Sequence, residues 1–148
     1  MSDPFALERF VRAQDEHGAY AQALAELRAG RKQSHWMWFV FPQLIGLGRS
    51  ELALYYGIAG LLEARTYLAH PLLGPRYDEC CRTVAYWAGK RSAEDIFGSV
   101  DALKLRSSLT LMERASALPG STLYAGPLDA FFEGERDPQT LRLLSMAA

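Results

Sequence analysis

Six consecutive apolar residues, from Trp36 to Phe41, constrain the fold of this chain most strongly. Because such a run has no polar face, it must be buried on every side, whether it forms a helix or a strand. Helical patterns flank the run and Pro42 ends it, so we predict one or two turns of helix there. A chain of 148 residues can supply the surrounding core, because a domain of that size buries about 68–70% of its unfolded surface.

The remainder of the chain shows mainly helical patterns. Apolar residues recur at spacings of three and four in several segments, and the clearest are 59–69, 72–87 and 101–115. Gly30 stands where a helix C-terminus is expected, and Asp137 before Pro138 is typical of a helix start. The sequence contains no convincing strand pair and no repeat. We therefore predict a compact all-α single domain, residues 1–148, with about seven to nine helices, several of them short.

Composition and charge exclude several functional classes. Charged residues make up 22% of the chain and the net charge is -1, which gives no electrostatic footprint for nucleic acid. The N-terminus is polar and no apolar run approaches about 18 residues, so we expect a cytoplasmic protein without a membrane span. The two cysteines, Cys80 and Cys81, and the three histidines lack the spacing of metal ligands. We predict buried thiols, no metal and no cofactor.

The residues at the two ends of the apolar run are candidates for ligand binding. Arg31 offers a planar fork for a carboxylate or phosphate, with Lys32 as a point charge beside it. Solvated charges at a helix end are the alternative interpretation of both cations. His35 is a candidate for proton transfer, although a hydrogen-bonded structural role is common for a single histidine beside tryptophan.

Two tryptophans and one glutamine complete this first group. Trp36 and Trp38 belong to the core in the simplest interpretation. If one ring lines a cleft, it can stack on a nucleobase, a nicotinamide or a sugar face. Gln43 follows a proline that restricts its approach, and a glutamine at a pocket rim suits recognition of an amide or a base edge.

A second polar group falls on the predicted helix 101–115. Lys104, Ser107 and Ser108 are spaced i, i+3 and i+4 and share one face, with Asp101 one turn earlier. A lysine beside two hydroxyls suits an anion site, and less well a Ser-Lys dyad. The alternative is a semi-polar packing face whose hydroxyls bond back to the helix. Glu63 is a further candidate for proton transfer, with a helix-surface ion network as its alternative.

Several motifs of the chain resemble those of a known bacterial family. The matching segments are Gly30-Arg31-Lys32, the run from Ser34 to Gln43, Gly46-Leu47-Gly48, the run from His70 to Gly74, Ile96-Phe97-Gly98 and Ser107-Ser108. Together they resemble the domain-of-unknown-function family DUF1810, from about Phe10 to Leu144, some of whose members carry the label calpastatin. The resemblance implies a mainly helical, single-domain, cytoplasmic protein, and it carries no activity, cofactor or catalytic residue. A looser likeness, of fold class alone, is to a small helical family proposed to act on ADP-ribose derivatives.

Two functions from different classes follow from these observations. The first is binding or hydrolysis of a small anionic molecule, nucleotide-like or ADP-ribose-like, which requires the two polar groups to share one cleft. The cations would then hold the anion, a tryptophan would stack, and His35 or Glu63 would transfer protons. The second is a non-catalytic protein–protein interaction domain, which predicts an exposed apolar patch instead. The ligand's identity and the oligomeric state stay open.

Overall fold

The helix Ser99–Ala115 is the longest in the chain's described part, and most of the other helices pack against it. The computed structural model describes residues 2–116 and 122–146. Within them the helices are α1 Glu8–Asp15, α2 Ala19–Arg28, α3 Met37–Val40, α4 Glu51–Tyr55, α5 Leu61–Ala69, α6 Leu73–Ala85, α7 Ala93–Phe97, α8 Ser99–Ala115, α9 Ala125–Phe132 and α10 Pro138–Met146. A 3-10 turn, Glu16–Gly18, joins α1 to α2.

The all-α prediction is confirmed. Within the described residues, nine helices have at least five residues, and α3 adds a single turn. The β pairing found in this part of the chain is one isolated parallel bridge between Leu44 and Ile58. The bridge holds the segment after Pro42 against the segment after α4, because Ile45 N–H donates to the Ile58 carbonyl at 2.8 Å.

Helix α8 has two faces with different roles. It packs against α3, α5, α7, α9 and α10. The face with Leu105, Leu109 and Met112 is buried, as the spacing of three and four residues requires. The opposite stripe includes Val100 and Leu103, which are 66% and 57% exposed. A core element therefore turns one of its faces to the surface.

The apolar run forms a single helical turn at the edge of the core. Four of its six residues are buried, namely Trp36, Met37, Val40 and Phe41. Trp38 and Phe39 are only half-buried. Consecutive side chains on a helix diverge by about 100°, so a one-turn helix at an edge cannot bury every member of a six-residue run. The expectation that the run is buried on all sides is therefore wrong at Trp38 and Phe39.

The two adjacent cysteines are buried, as predicted. Burial raises the pKa of the Cys80 thiol to about 12, and burial also raises the pKa of Cys81 well above its ordinary value. Thiolates are the reactive form of cysteine, so these thiols are inert packing groups.

Candidate functional site

One carboxylate organises the segment between α2 and α3. Glu26 Oε1, on α2, accepts hydrogen bonds from the backbone N–H of Gln33 at 2.7 Å and of Ser34 at 2.9 Å, and from Trp36 Nε1 at 2.9 Å. The Ser34 hydroxyl donates to Oε2 at 2.6 Å. Burial raises the pKa of Glu26, but these hydrogen bonds outweigh burial and lower it to about 2. Ionised Glu26 therefore fixes the path of the predicted site segment.

Two lysines share one carboxylate at the start of α8. Lys32 Nζ lies 2.8 Å from Asp101 Oδ2 and also donates to the Ser34 carbonyl oxygen. Lys104 Nζ lies 3.6 Å from Asp101 Oδ1 and 5.0 Å from the centre of the Trp38 ring. The side chain of Lys32 is 6% exposed and that of Lys104 is 27% exposed. The two cations carry one more charge than Asp101 neutralises.

These residues line a surface cleft made of two adjacent pockets, here called lobes, that share three lining residues. The first, here called the lysine lobe, has a volume of about 380 Å³ and is lined by Lys32, His35, Met37, Trp38, the turn 97–101 and Lys104. The second, the amide lobe, has a volume of about 440 Å³ and is lined by Trp38, Gln43, the segment 47–50, Ala53, one face of α8, Asp137 and Gln139. Trp38, Val100 and Lys104 line both lobes.

The two polar groups predicted from sequence thus meet in one cleft. Lys32, His35 and Trp38 come from the first group and Lys104 from the second, and all four line the lysine lobe. Gln43 and Ser107 meet in the amide lobe. The juxtaposition arises because Lys32, held by Asp101, fastens the segment before α3 to the first turn of α8.

Other predicted residues lie outside the cleft. Trp36 is 2% exposed and its indole N–H donates to Glu26, so its ring belongs to the core. Trp38 is therefore the ring available for stacking. Ser108 is fully buried, and its hydroxyl is hydrogen-bonded to Tyr77 Oη at 2.9 Å. Arg31 is exposed to solvent and lines neither lobe.

Glu63 is also remote from the cleft. Its Oε2 lies 2.9 Å from an Nη of Arg9, and its Oε1 accepts from the backbone N–H of Ala59 at 3.0 Å. The carboxylate therefore joins α1 to the start of α5, and it is not a candidate for proton transfer in the cleft. The surface-network alternative needs correction too, because this ion pair is largely buried.

The electrostatic character of the cleft favours an anion. Its lining includes the cations Lys32, Lys104 and Arg49 and the carboxylates Asp101 and Asp137, a net charge of +1. The N-terminus of α8 opens into the lysine lobe without a side-chain cap. Helix N-termini attract negative charge through their free N–H groups and the macrodipole.

Comparison with known proteins gives the family. The sequence model of a protein family, described as protein of unknown function (DUF1810), matches residues 4–144 of this chain. The chain belongs to the DUF1810 family. The resemblance inferred from the motifs is therefore confirmed. A crystal structure of the conserved hypothetical protein Rv1873 from Mycobacterium tuberculosis is similar, with 50% identity and a TM-score of 0.90 over 97% of this chain and 99% of that one. Curated proteins give no match.

Two residues of this DUF1810 site are not predictable as site residues from the sequence. The spacing of apolar residues at three and four positions marks Glu26 only as part of an amphipathic helix. It does not reveal that Glu26 accepts hydrogen bonds from residues seven to ten positions later in the sequence. The Asp-Pro signal marks Asp137 as a helix start, which is confirmed, but its position beside α8 depends on the tertiary fold.

The described part of this DUF1810 chain offers neither a metal cluster nor a membrane span. Across residues 2–116 and 122–146, histidine, cysteine, aspartate and glutamate side chains form no group of three that could hold a metal ion. Within the same ranges, none of the helices combines the length and the apolar character that crossing a bilayer requires.

Proposed function

We propose that this protein binds a small anionic molecule, nucleotide-like or ADP-ribose-like, in the cleft between Trp38 and α8. The observation that carries the proposal is the position of Lys104, whose ammonium stands 5.0 Å above the Trp38 ring centre at the junction of the two lobes. A ligand that joins an anionic group to a flat group would meet a cation and an aromatic ring at one place.

The two lysines have different roles in this proposal. Lys32 is nearly buried, and two of its three N–H donors are used by Asp101 and Ser34. We assign it to positioning the segment before α3. Lys104 is more exposed, and its distance of 3.6 Å from Asp101 is longer than a normal hydrogen bond. Lys104 is therefore the cation that is free to turn towards an incoming anion.

Hydrolysis is the further part of the proposal. His35 is exposed and lines the lysine lobe, so its imidazole can reach a bound ligand and transfer a proton. Binding requires Lys104 and Trp38, whereas turnover requires His35 in addition. A His35→Ala variant that binds ligand normally but loses turnover is the expected behaviour of a hydrolase.

An apolar surface supports the alternative of a protein–protein interaction domain. Val100 and Leu103 are 66% and 57% exposed and line the cleft. Leu52, Leu54 and Tyr55 on α4 are also exposed. Exposed apolar groups at a cleft are common in docking surfaces as well as in ligand sites. Anion binding that depends on Lys104 distinguishes the two functions.

A thermal-shift experiment with a matched pair of lysine variants tests the proposal. The ligands are inorganic phosphate, AMP and ADP-ribose, applied to the wild type, Lys104→Gln and Lys90→Gln. Lys90 is a suitable control because its ammonium also stands over an aromatic ring, 3.6 Å from the centre of the Tyr86 ring. Lys90 lines neither lobe.

The expected result is stabilisation of the wild type and of Lys90→Gln by at least one ligand, with the effect lost in Lys104→Gln. A ligand at 100 times its dissociation constant adds about 2.7 kcal/mol to the free energy of unfolding. Equal stabilisation of all three proteins would contradict a site at Lys104. Stabilisation of none of them would favour the interaction-domain alternative.

A further inference from the structure

The amide lobe contains a carboxylate that is rigidly held. Asp137 is 8% exposed, and its Oδ2 accepts from the Thr140 backbone N–H at 2.9 Å and from the Thr140 hydroxyl at 2.6 Å. Its own backbone N–H donates to the Thr110 hydroxyl oxygen at 3.0 Å. Thr110 is fully buried on α8. The backbone N–H of Asp137 therefore fixes the residue against α8, and Thr140 holds its Oδ2.

The second oxygen, Oδ1, is less closely engaged and forms a long ion pair with Arg106. It lies 3.6 Å from an Nη of Arg106, beyond normal hydrogen-bond distance. No hydrogen bond to Oδ1 comes from residues 2–116 or 122–146. An ionised carboxylate oxygen has strong acceptor capacity. Asp137 thus offers a charged acceptor in a lobe that Lys104 and Arg49 also line, with Arg106 of α8 as its ion-pair partner.

The neighbouring side chains add further capacity to accept hydrogen bonds. The Ser107 hydroxyl donates to the Leu103 carbonyl oxygen at 3.1 Å, which leaves its lone pairs free to accept. The Gln43 side-chain amide lines the same lobe and contributes a carbonyl oxygen. An anionic group placed directly against Oδ1 would be repelled by Asp137, although Lys104 and Arg49 line the same lobe. The part of the lobe beside Asp137 is therefore suited to hydroxyl or amino groups that donate hydrogen bonds.

We infer that the ligand is a phosphate ester whose alcohol part carries free hydroxyl groups, with the phosphate in the lysine lobe and a hydroxyl donating to Asp137. This inference rests on the proposed anion site, and it adds the chemical class of the part of the ligand that is joined to the anionic group. Ser107 lies six positions after Asp101 on α8, a rise of about 9 Å. A phosphorylated sugar, free or within a nucleotide, has a suitable length for this distance.

The test compares two ligands that carry the same anion. Methyl phosphate has no free hydroxyl on its alcohol part, and ribose 5-phosphate has several. Their dissociation constants are measured by calorimetric or NMR titration for the wild type, Asp137→Asn and Asp129→Asn. The side chain introduced by Asp137→Asn keeps an oxygen for capping α10 and loses the charge. Asp129 is the control, because its carboxylate is 2.9 Å from Arg136 and lines neither lobe.

We expect ribose 5-phosphate to bind the wild type and Asp129→Asn at least about tenfold more tightly than methyl phosphate. In Asp137→Asn the two ligands should bind within about twofold of each other. Equal binding of both esters to the wild type overturns the inference and leaves the anion site intact. This comparison uses the wild type alone, so it does not depend on the folding of a variant. If neither ester binds, the proposed function fails as well.

Discussion

Lys32 Nζ lies 2.8 Å from Asp101 Oδ2, although the two residues are far apart in the sequence. This pair fastens the segment before α3 to the first turn of α8, and so it places Trp38 beside Lys104. The lining of the cleft depends on this connection between two segments that carry the polar residues.

The first prediction concerns the unequal structural roles of the two lysines. Replacing Lys32 with Met should lower the free energy of unfolding by about 2 to 4 kcal/mol, because it removes a nearly buried partner of Asp101. Replacing Lys104 with Met should cost less than about 1 kcal/mol, since its ion pair is longer and more exposed. Urea unfolding at neutral pH measures both. Similar losses in the two variants would contradict the assigned roles.

The second prediction is a pH dependence that arises from Glu26. In the unfolded chain this carboxylate should titrate near 4.5, and in the folded protein its pKa is lowered to about 2. Its contribution to stability is therefore fully present above pH 4.5 and is lost as the pH falls towards about 2. The stability difference between the wild type and Glu26→Gln should shrink by roughly 2 to 3 kcal/mol across this window.

Chemical unfolding of the wild type and Glu26→Gln at several pH values measures this difference. Comparing the two proteins removes the contribution of the other carboxyl groups that titrate in the same range. A difference that stays constant from neutral pH to about pH 2.5 would show that the folded pKa of Glu26 is not lowered.

The third prediction concerns two glycines that lie in helices. Gly74 is in α6, and a Cβ at this position would lie 2.1 Å from the Leu68 carbonyl oxygen. Gly126 is in α9, and a Cβ there would meet no atom within 4 Å among the described residues outside its own helix backbone and chain neighbours. Alanine normally stabilises a helix relative to glycine by about 1 kcal/mol. Gly126→Ala should therefore be neutral or stabilising, whereas Gly74→Ala should cost at least about 2 kcal/mol.

Thermal or urea unfolding of the two alanine variants checks this prediction. Equal effects in both would mean that α5 and α6 do not approach each other at Leu68 and Gly74 as closely as described.

The fourth prediction separates two adjacent serines. Ser108→Ala should lower the free energy of unfolding by about 1 to 2 kcal/mol, because the buried Tyr77 hydroxyl loses its partner at 2.9 Å. Ser107→Ala should change stability by less than about 0.5 kcal/mol, since its hydroxyl bonds to its own helix at the cleft surface. Comparable stability losses in the two variants would argue against the observed orientation of α8.

The helices could be predicted from sequence because their signals are local. Apolar spacing and the Asp137 start signal depend on residues within one or two turns. The burial of Ser108 also follows from the spacing of apolar residues. Ser108 continues the buried stripe of Leu105, Leu109 and Met112, whereas Ser107 continues the stripe that begins with exposed Val100. The exposed apolar residues obscured which stripe faces the core.

The cleft itself depends on contacts that local patterns do not encode. Whether Trp36 or Trp38 faces outward depends on how a one-turn helix is oriented, and Glu26 sets that orientation by accepting from the Trp36 indole. The connection between Lys32 and Asp101 likewise exists only in the folded chain. Residue types identified the candidates, and the tertiary structure selected among them.

The most direct test of the anion cleft follows the three tryptophan indole N–H signals by NMR during titration with AMP. Trp36 and Trp87 are internal controls, because their indole N–H groups donate to Glu26 and to the Leu27 carbonyl oxygen, both at 2.9 Å. We predict a saturable shift of the Trp38 signal in the wild type and in Lys90→Gln, absent in Lys104→Gln. No shift at Trp38, or a shift that persists unchanged in Lys104→Gln, would contradict the proposed site.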